Sequence, residues 1–219
     1  AVSGTDLFVG GGFTGVQSNT QSYVPSEFVA RWSTITSTWI PMGAVERNGT
    51  NTGVFALAVI GTDLYVGGNF NTVFSTNWER ISANRIARWS MTSGTWSPLG
   101  STTQNGLDRF GGDVWCLAAS GTDLYVGGSF TNVNSSNSSI QSANRIARWS
   151  TTGGYWSPLG SPTQNGVEGG VYALAISGDD LFVGGNFVDV SSTTQRNVAS
   201  SGIATAFISI ASPTWNFTK

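Results

Sequence analysis

Histidine is absent from this 219-residue chain, and cysteine and lysine occur once each, as Cys116 and Lys219. Without histidine the commonest general base and the commonest metal ligand are missing, and no Ser-His-Asp or Cys-His arrangement can be assembled. A single cysteine excludes a disulfide within the chain. Set in the apolar run Val114-Trp115-Cys116-Leu117-Ala118, it reads as a buried, inert thiol. Charge is scarce too: 10% of residues are Asp, Glu, Lys or Arg and the net charge is −2. That leaves no basic surface to hold a phosphate backbone, so nucleic acid is not an expected partner. The longest apolar runs, such as Val54–Ile60, are too short to cross a bilayer as a helix, so no membrane span is expected. No Gly-x-x-x-x-Gly-Lys phosphate loop and no Asp-x-Asp-x-Asp-Gly calcium loop occurs, and neither metal nor cofactor is expected.

What the chain does have is one phrase repeated four times. It reads Gly4-Thr5-Asp6-Leu7-Phe8-Val9-Gly10-Gly11, recurs at Gly61–Gly68 and Gly121–Gly128, and returns as Gly178-Asp179-Asp180-Leu181-Phe182-Val183-Gly184-Gly185. The first aspartates of the first three phrases and Asp180 are 57, 60 and 57 residues apart. A fixed period of this size marks stacked supersecondary units that cannot bury their apolar faces alone. Within each unit four short runs, rich in β-branched and aromatic residues and bounded by Gly, Asn, Ser and Asp, read as strands. In the second unit they are Val54–Ile60, Leu64–Phe70, Arg85–Met91 and Thr95–Leu99; in the third, Val114–Ala119, Leu124–Phe130, Arg145–Thr151 and Tyr155–Leu159. Gly-Thr-Asp turns join the first two, and Thr92-Ser93-Gly94 or Thr152-Gly153-Gly154 the last two. The longest connections, Asn71–Asn84, Thr131–Asn144 and Val188–Asn197, read as variable loops. Ala1-Val2-Ser3 aligns with Ala58-Val59-Ile60, so the first unit lacks most of its first strand.

Four antiparallel strands per unit is the pattern of a propeller blade. The order strand, turn, aromatic-Val-Gly-Gly, variable loop, Ile-Ala-Arg-Trp, Trp-Ser-Pro-Leu-Gly resembles kelch-type blades. It resembles still more the Rax2-like and delta-60-type repeats, in which Asn-Arg-Ile-Ala-Arg-Trp and Val-Tyr-Ala-Leu-Ala phrases recur. The resemblance implies an all-β propeller of four blades, about 1–53, 54–112, 113–169 and 170–219. It allows a compact ring, half a ring completed by a second copy, or part of a larger ring with further blades. The last unit departs from the pattern: Gly202-Ile203-Ala204-Thr205-Ala206-Phe207 stands for Ile-Ala-Arg-Trp, and Thr214-Trp215-Asn216-Phe217 for Trp-Ser-Pro-Leu.

Arg31, Arg88 and Arg148 sit beside Trp32, Trp89 and Trp149 in the third runs. Such a pair can hold a sugar face or a carboxylate. Strict repetition inside strands favours the architectural role, with Asp63, Asp123 and Asp180 as partners. Asn69 and Asn186 follow the double glycines and are placed either to bond turn backbone or to line a rim. Gln104-Asn105 and Gln164-Asn165 read first as turns and second as exposed amides suited to saccharides. Phe74 and Trp78, in the Asn71–Asn84 loop, are expected to be exposed and to serve binding. Asn-x-Ser/Thr sequons at Asn48, Asn134, Asn137 and Asn216 are glycosylation candidates.

The expected function is a secreted or cell-surface, non-enzymatic binding module, with glycans or another extracellular protein as partner and rim loops as the contact. Two alternatives stand beside it: a structural subunit of an extracellular assembly, or a fragment of a larger propeller enzyme whose catalytic residues lie elsewhere.

Overall fold

The computed structural model describes residues 1–77, 79–107, 111–134, 140–160, 165–187, 189–190, 198–199, 206–209 and 215–217, the last four segments by their backbone alone. All regular structure among these residues is strand. Four four-stranded antiparallel sheets follow one another along the chain. The second contains Val54–Ile60, Asp63–Gly68, Ile86–Ser90 and Thr95–Pro98, and the third Val114–Ser120, Asp123–Gly128, Ile146–Ser150 and Tyr155–Pro158. In each, every strand pairs with the next in chain order, so each sheet is a meander. The first sheet opens on the two-residue strand Val2–Ser3. In the fourth, the strand Ala206–Ser209 pairs with Asp180–Gly185, slightly later than the phrase 202–207 suggests.

The long connections are not plain loops. Each carries a small hairpin: Gly15–Ser18 with Gln21–Pro25, Thr72–Phe74 with Arg80–Ser82, Asn132–Asn134 with Ile140–Ser142, and Asp189–Val190 with Val198–Ala199. The second of these gains a third strand from Gly49–Thr50, which belongs to the preceding linker.

Successive sheets stack face to face, and the apolar residues of the repeated phrase fill three layers between them. Phe8, Val29 and Met42 of the first sheet's unit pack with Val54, Leu64 and Trp96 of the second. Tyr65, Ile86 and Leu99 pack with Leu124, Val126 and Trp149 of the third. Cys116, Ile146 and Leu159 pack with Val171, Leu181 and Val183 of the fourth. Strands Asp63–Gly68 and Asp123–Gly128 are buried on both faces, which explains their unbroken apolar runs. Full burial of a Leu or Val stabilises by about 1.5–3 kcal/mol.

The double glycine sets the spacing. A Cβ on Gly10, Gly67 or Gly127 would lie 3.2, 3.1 or 3.2 Å from the Cβ of Val54, Val114 or Val171 on the next sheet, and nearer still to its Cγ1. The second glycine closes against its own sheet: a Cβ on Gly68, Gly128 or Gly185 would strike the carbonyl of Gly53, Asp113 or Gly170. Two adjacent positions therefore need glycine for two different close approaches. Among the described residues, the corresponding Gly184 of the fourth sheet meets only Ala173 of its own sheet, at 3.7 Å.

Candidate functional site

The repeated arginines pair with the repeated aspartates. Arg31 Nη2 lies 2.9 Å from Asp6 Oδ2, Arg88 Nη1 3.4 Å from Asp63 Oδ2, and Arg148 Nη1 3.3 Å from Asp123 Oδ2. Register makes the match: Asp63 stands opposite Ser90 across the ladder, two residues beyond Arg88. Arg88 Nε also donates to Ser97 Oγ at 3.0 Å, and Arg148 Nη2 to Ser157 Oγ at 3.3 Å. In the fourth sheet Phe207 takes the arginine's register position, and among the described residues no arginine pairs with Asp180. The paired tryptophans of the third and fourth strands meet edge to face across the ladder, for example Trp89 and Trp96 with centroids 5.1 Å apart. Trp96 Nε1 in turn donates to the Met42 carbonyl of the preceding sheet at 2.7 Å.

These framework groups border a cleft of about 360 Å³ where the second and third sheets meet. Tyr65, Arg88, Ser97 and Thr102 line one side, Trp149 and Thr151 the other. Burial, and secondarily the charge of Asp63, push the Tyr65 phenol above its ordinary value, while Arg88 acts in the opposite sense. The hydroxyl therefore stays protonated at neutral pH and can donate as well as accept. The cleft offers hydroxyls, half of a guanidinium and an indole edge, a set suited to a polar ligand of little charge.

Several candidate residues occupy other roles. Phe74 is 4% exposed, with the guanidinium carbons of Arg47 and Arg80 4.8 and 5.9 Å from its ring centroid; it is core, because the segment around it is a hairpin and not an open loop. Asn105 and Asn165 are each 1% exposed. Their Oδ1 atoms accept from the backbone N–H of Asn84 and Asn144, both at 2.9 Å, and so tie the linker to the entry of the third strand. They cannot be saccharide contacts. Asn48 repeats the arrangement, its Oδ1 accepting from Glu27 N and its Nδ2 donating to the carbonyls of Pro25 and Ala44. Asn134 Nδ2 donates to the carbonyls of Asn105 and Leu107. The nitrogen that a glycan would occupy is thus engaged and buried at Asn48 and Asn134, and neither is a modification site in the folded chain. Gln104 is half-buried and closes the turn with Ser101.

Asn69 and Asn186 are exposed. Asn186 Oδ1 accepts from Gly170 N at 2.7 Å, and Ser129 Oγ, at the same place in the third unit, accepts from Asp113 N at 2.9 Å. Trp78, Gln164 and Asn137 lie outside the described residues, and Asn216 is placed by backbone only, in the strand Trp215–Phe217. Among the described residues no group of three or more His, Cys, Asp or Glu side chains could hold a metal ion, and no helix is long and apolar enough to cross a membrane. Cys116 is buried, its thiol pushed up to about 12 by desolvation.

One set of residues has no counterpart among the sequence-derived candidates. The ladder between the first two strands slips at Val54/Ala56, at Val114/Cys116 and at Val171/Ala173. The residue left unpaired by each bulge is aromatic: Phe55, Trp115, Tyr172. Phe55 and Tyr172 are 50% and 52% exposed. Trp115 and Tyr172 stack, with centroids 4.9 Å apart and planes 29° from parallel. Bulges re-aim side chains. The available signal was an aromatic at the second position of the Val-aromatic-Ala/Cys-Leu-Ala phrase, out of step with the apolar residues on either side.

No family model matches the chain, and no curated protein matches it. Among solved structures it is similar to the computationally designed Ika8 protein, with a TM-score of 0.50 and 14% identity over 85% of this chain and 41% of the other. The designed Ika4 protein gives a TM-score of 0.43 and 14% identity over 78% and 74%. This chain therefore spans about two fifths of the length of the first. At that identity the likeness concerns the fold alone: a repeat-like, all-β arrangement.

Proposed function

We propose that this chain is a non-enzymatic binding array of β-propeller type, with kelch-like or Rax2-like units, that works outside the cell and takes saccharides. Meander sheets stacked in chain order, with the first strands of neighbouring sheets side by side, support the propeller reading. The observation that carries the binding reading is the cleft between the second and third sheets, where Tyr65, Arg88, Ser97, Thr102, Trp149 and Thr151 converge. Hydroxyl, guanidinium and indole groups in a concave, weakly charged site match the hydroxyls and C–H faces of sugars. Glycan-array screening followed by calorimetry tests it. Thr102 is exposed at the cleft mouth, so Thr102→Trp fills the cleft without touching the core. The expected result is saccharide binding by the wild type and a loss of about tenfold or more in the variant at unchanged melting temperature. A wild type that binds no glycan, or a variant that binds as well as wild type, overturns the reading.

A specific observation favours a second reading, a structural subunit of an extracellular assembly. Gly184 is shaped like the glycines that receive the next sheet's valine, yet among the described residues no such valine reaches it. A unit from another copy would complete that joint. Sedimentation measurement of the molar mass tests this: a stable oligomer supports the assembly, and a monomer at all concentrations removes it.

A further inference from the structure

We propose that the bulge-borne aromatics Phe55, Trp115 and Tyr172, with the Asp113–Arg85 pair, form a second saccharide site, one that takes a chain of pyranose rings with equatorial substituents. The proposal rests on the saccharide-binding reading above but on separate residues, at the opposite edge of the sheets from the cleft. The first strands form one edge of each sheet; Ser97 and its neighbours belong to the fourth strands, at the other edge.

Three observations carry it. The first is that an aromatic occupies the bulge of three consecutive units. Core packing does not demand this, since Phe55 and Tyr172 remain about half exposed while the valines beside them, Val54 and Val171, are fully buried or nearly so. A ladder that repeatedly gives up pairing to turn a large ring toward solvent exposes apolar faces that a monomer has no reason to display.

The second is the detailed surface between the rings. A Cβ at Gly170 would collide with Trp115, 3.1 Å from its Cη2 and closer to Cζ3, so the six-membered ring of the indole reaches over a bare glycine while stacking on Tyr172. The equivalent position one unit earlier is Asp113, which carries a side chain where the next unit has a bare glycine. Phe55 instead folds back over its own Gly53, with a Cβ there 3.0 Å from the Phe55 Cε1. Along the rim the order is therefore ring, carboxylate, stacked pair of rings.

The third is the polarity of that interruption. Asp113 Oδ1 lies 3.6 Å from Arg85 Nε across the joint between the second and third sheets, and its side chain keeps 35% of its exposure. Arg85 holds a left-handed backbone, φ 66°, which directs it to this joint, where its Nη1 donates to the Asn69 carbonyl at 2.8 Å. A carboxylate about one third exposed, held in place by a guanidinium, accepts from donors on its outward side, as vicinal hydroxyls can provide. A proline-rich peptide could also lie on such rings, but its tertiary amides offer almost no donors to the outward lone pairs of the Asp113 carboxylate, which sugar hydroxyls supply. Sugars with equatorial hydroxyls present flat C–H faces to the rings and donors at the ring edges.

The test uses the complete 219-residue chain, with a β-1,4-linked gluco-oligosaccharide of six rings as probe and decaproline as the competing probe. Phe55→Ala and Tyr172→Ala act on exposed rings, Trp115→Ala on the stacked one, and Asp113→Asn keeps the shape while removing the charge. Thermal melts accompany each, and Thr102→Trp is run in parallel. The expected result is binding of the hexaose that weakens about tenfold in each aromatic variant and several-fold in Asp113→Asn, at melting temperatures near wild type for Phe55→Ala, Tyr172→Ala and Asp113→Asn, and that persists in Thr102→Trp. If the hexaose binds but only Thr102→Trp abolishes it, the cleft reading stands and the second site is overturned. If decaproline binds with the same mutational pattern and the hexaose does not, the rim is a peptide site and the saccharide proposal is overturned. If other glycans bind at the cleft and the hexaose binds nowhere, the second site alone fails. If no saccharide binds at either edge, both readings fail together.

Discussion

Val114 lies where a side chain on Gly67 would have to go: a Cβ there would be 3.1 Å from the valine's Cβ. The contact joins the end of the second sheet's second strand to the start of the third sheet's first strand, and the same pairing recurs as Gly10 with Val54 and Gly127 with Val171. Gly67→Ala should therefore overpack a tight joint and cost about 1–3 kcal/mol. Gly184→Ala, with only Ala173 nearby at 3.7 Å, should be close to neutral in the monomer. Urea unfolding of the two variants distinguishes them. Equal losses would mean that the valine contact does not set the sheet spacing.

Asn105 and Asn69 look alike in sequence and should behave differently. Asn105→Ala removes the acceptor for the buried Asn84 N–H and should cost about 1–3 kcal/mol. Asn69→Ala, on an exposed side chain, should stay within about 0.5 kcal/mol of wild type. Thermal melts decide, and an innocuous Asn105→Ala would return that residue to the list of possible ligand contacts.

Alkaline pH should destabilise the fold through buried neutral groups. The Cys116 thiol is raised from 9.0 to about 12 in the folded state, so its contribution is complete below pH 9 and is lost as pH rises from 9 toward 12. Stability should fall over that window by about 1.4 kcal/mol per pH unit. Tyr65 and Tyr125, both raised by burial above 10.0, add to the decline from pH 10 upward. Urea midpoints at pH 8, 9.5 and 11 measure it. Cys116→Ala should flatten the curve between pH 9 and 10, and an unchanged curve would remove the thiol from the account.

Expression through a eukaryotic secretory pathway should leave Asn48 and Asn134 unmodified. Both spend their side-chain nitrogens on buried carbonyls. Peptide mapping of the folded, secreted material checks this, and sugar at either position would contradict the hydrogen bonding described for it.

The strands of the four sheets were legible because the repeated phrase couples composition to geometry. Glycine and aspartate bound each run, and doubly buried strands must be apolar throughout. The runs Val54–Ile60 and Thr95–Leu99, for instance, differ from the observed strands by at most a residue. The small hairpins escaped because strands of three residues, such as Thr72–Phe74, are too short to show a period. That omission is also why Phe74 passed for a loop aromatic. The linker amides were misread for a different reason. Asn105-Gly106 is locally a turn, and only a backbone N–H 21 residues away, on Asn84, turns the asparagine inward. The arginine–aspartate pairing was readable, since both members repeat with the same period. The bulge aromatics show in the sequence only as rings out of step with their apolar neighbours; the bulge that turns them outward is a property of two strands in register, and neither strand alone encodes the slip.

The joint between sheets has a consequence for how such a chain can change. The second, third and fourth units each carry a glycine at one face and a valine at the other, so each is both plug and socket for its own kind. Duplication of a whole unit creates no new interface to be invented; the copy fits its neighbours at once, and losses of whole units heal in the same way. Chain length is then free to drift in steps of about 57 residues, while the half-exposed aromatics Phe55 and Tyr172 can be exchanged without disturbing the glycine–valine fit. The scaffold is inherited by the unit, and recognition is edited one ring at a time.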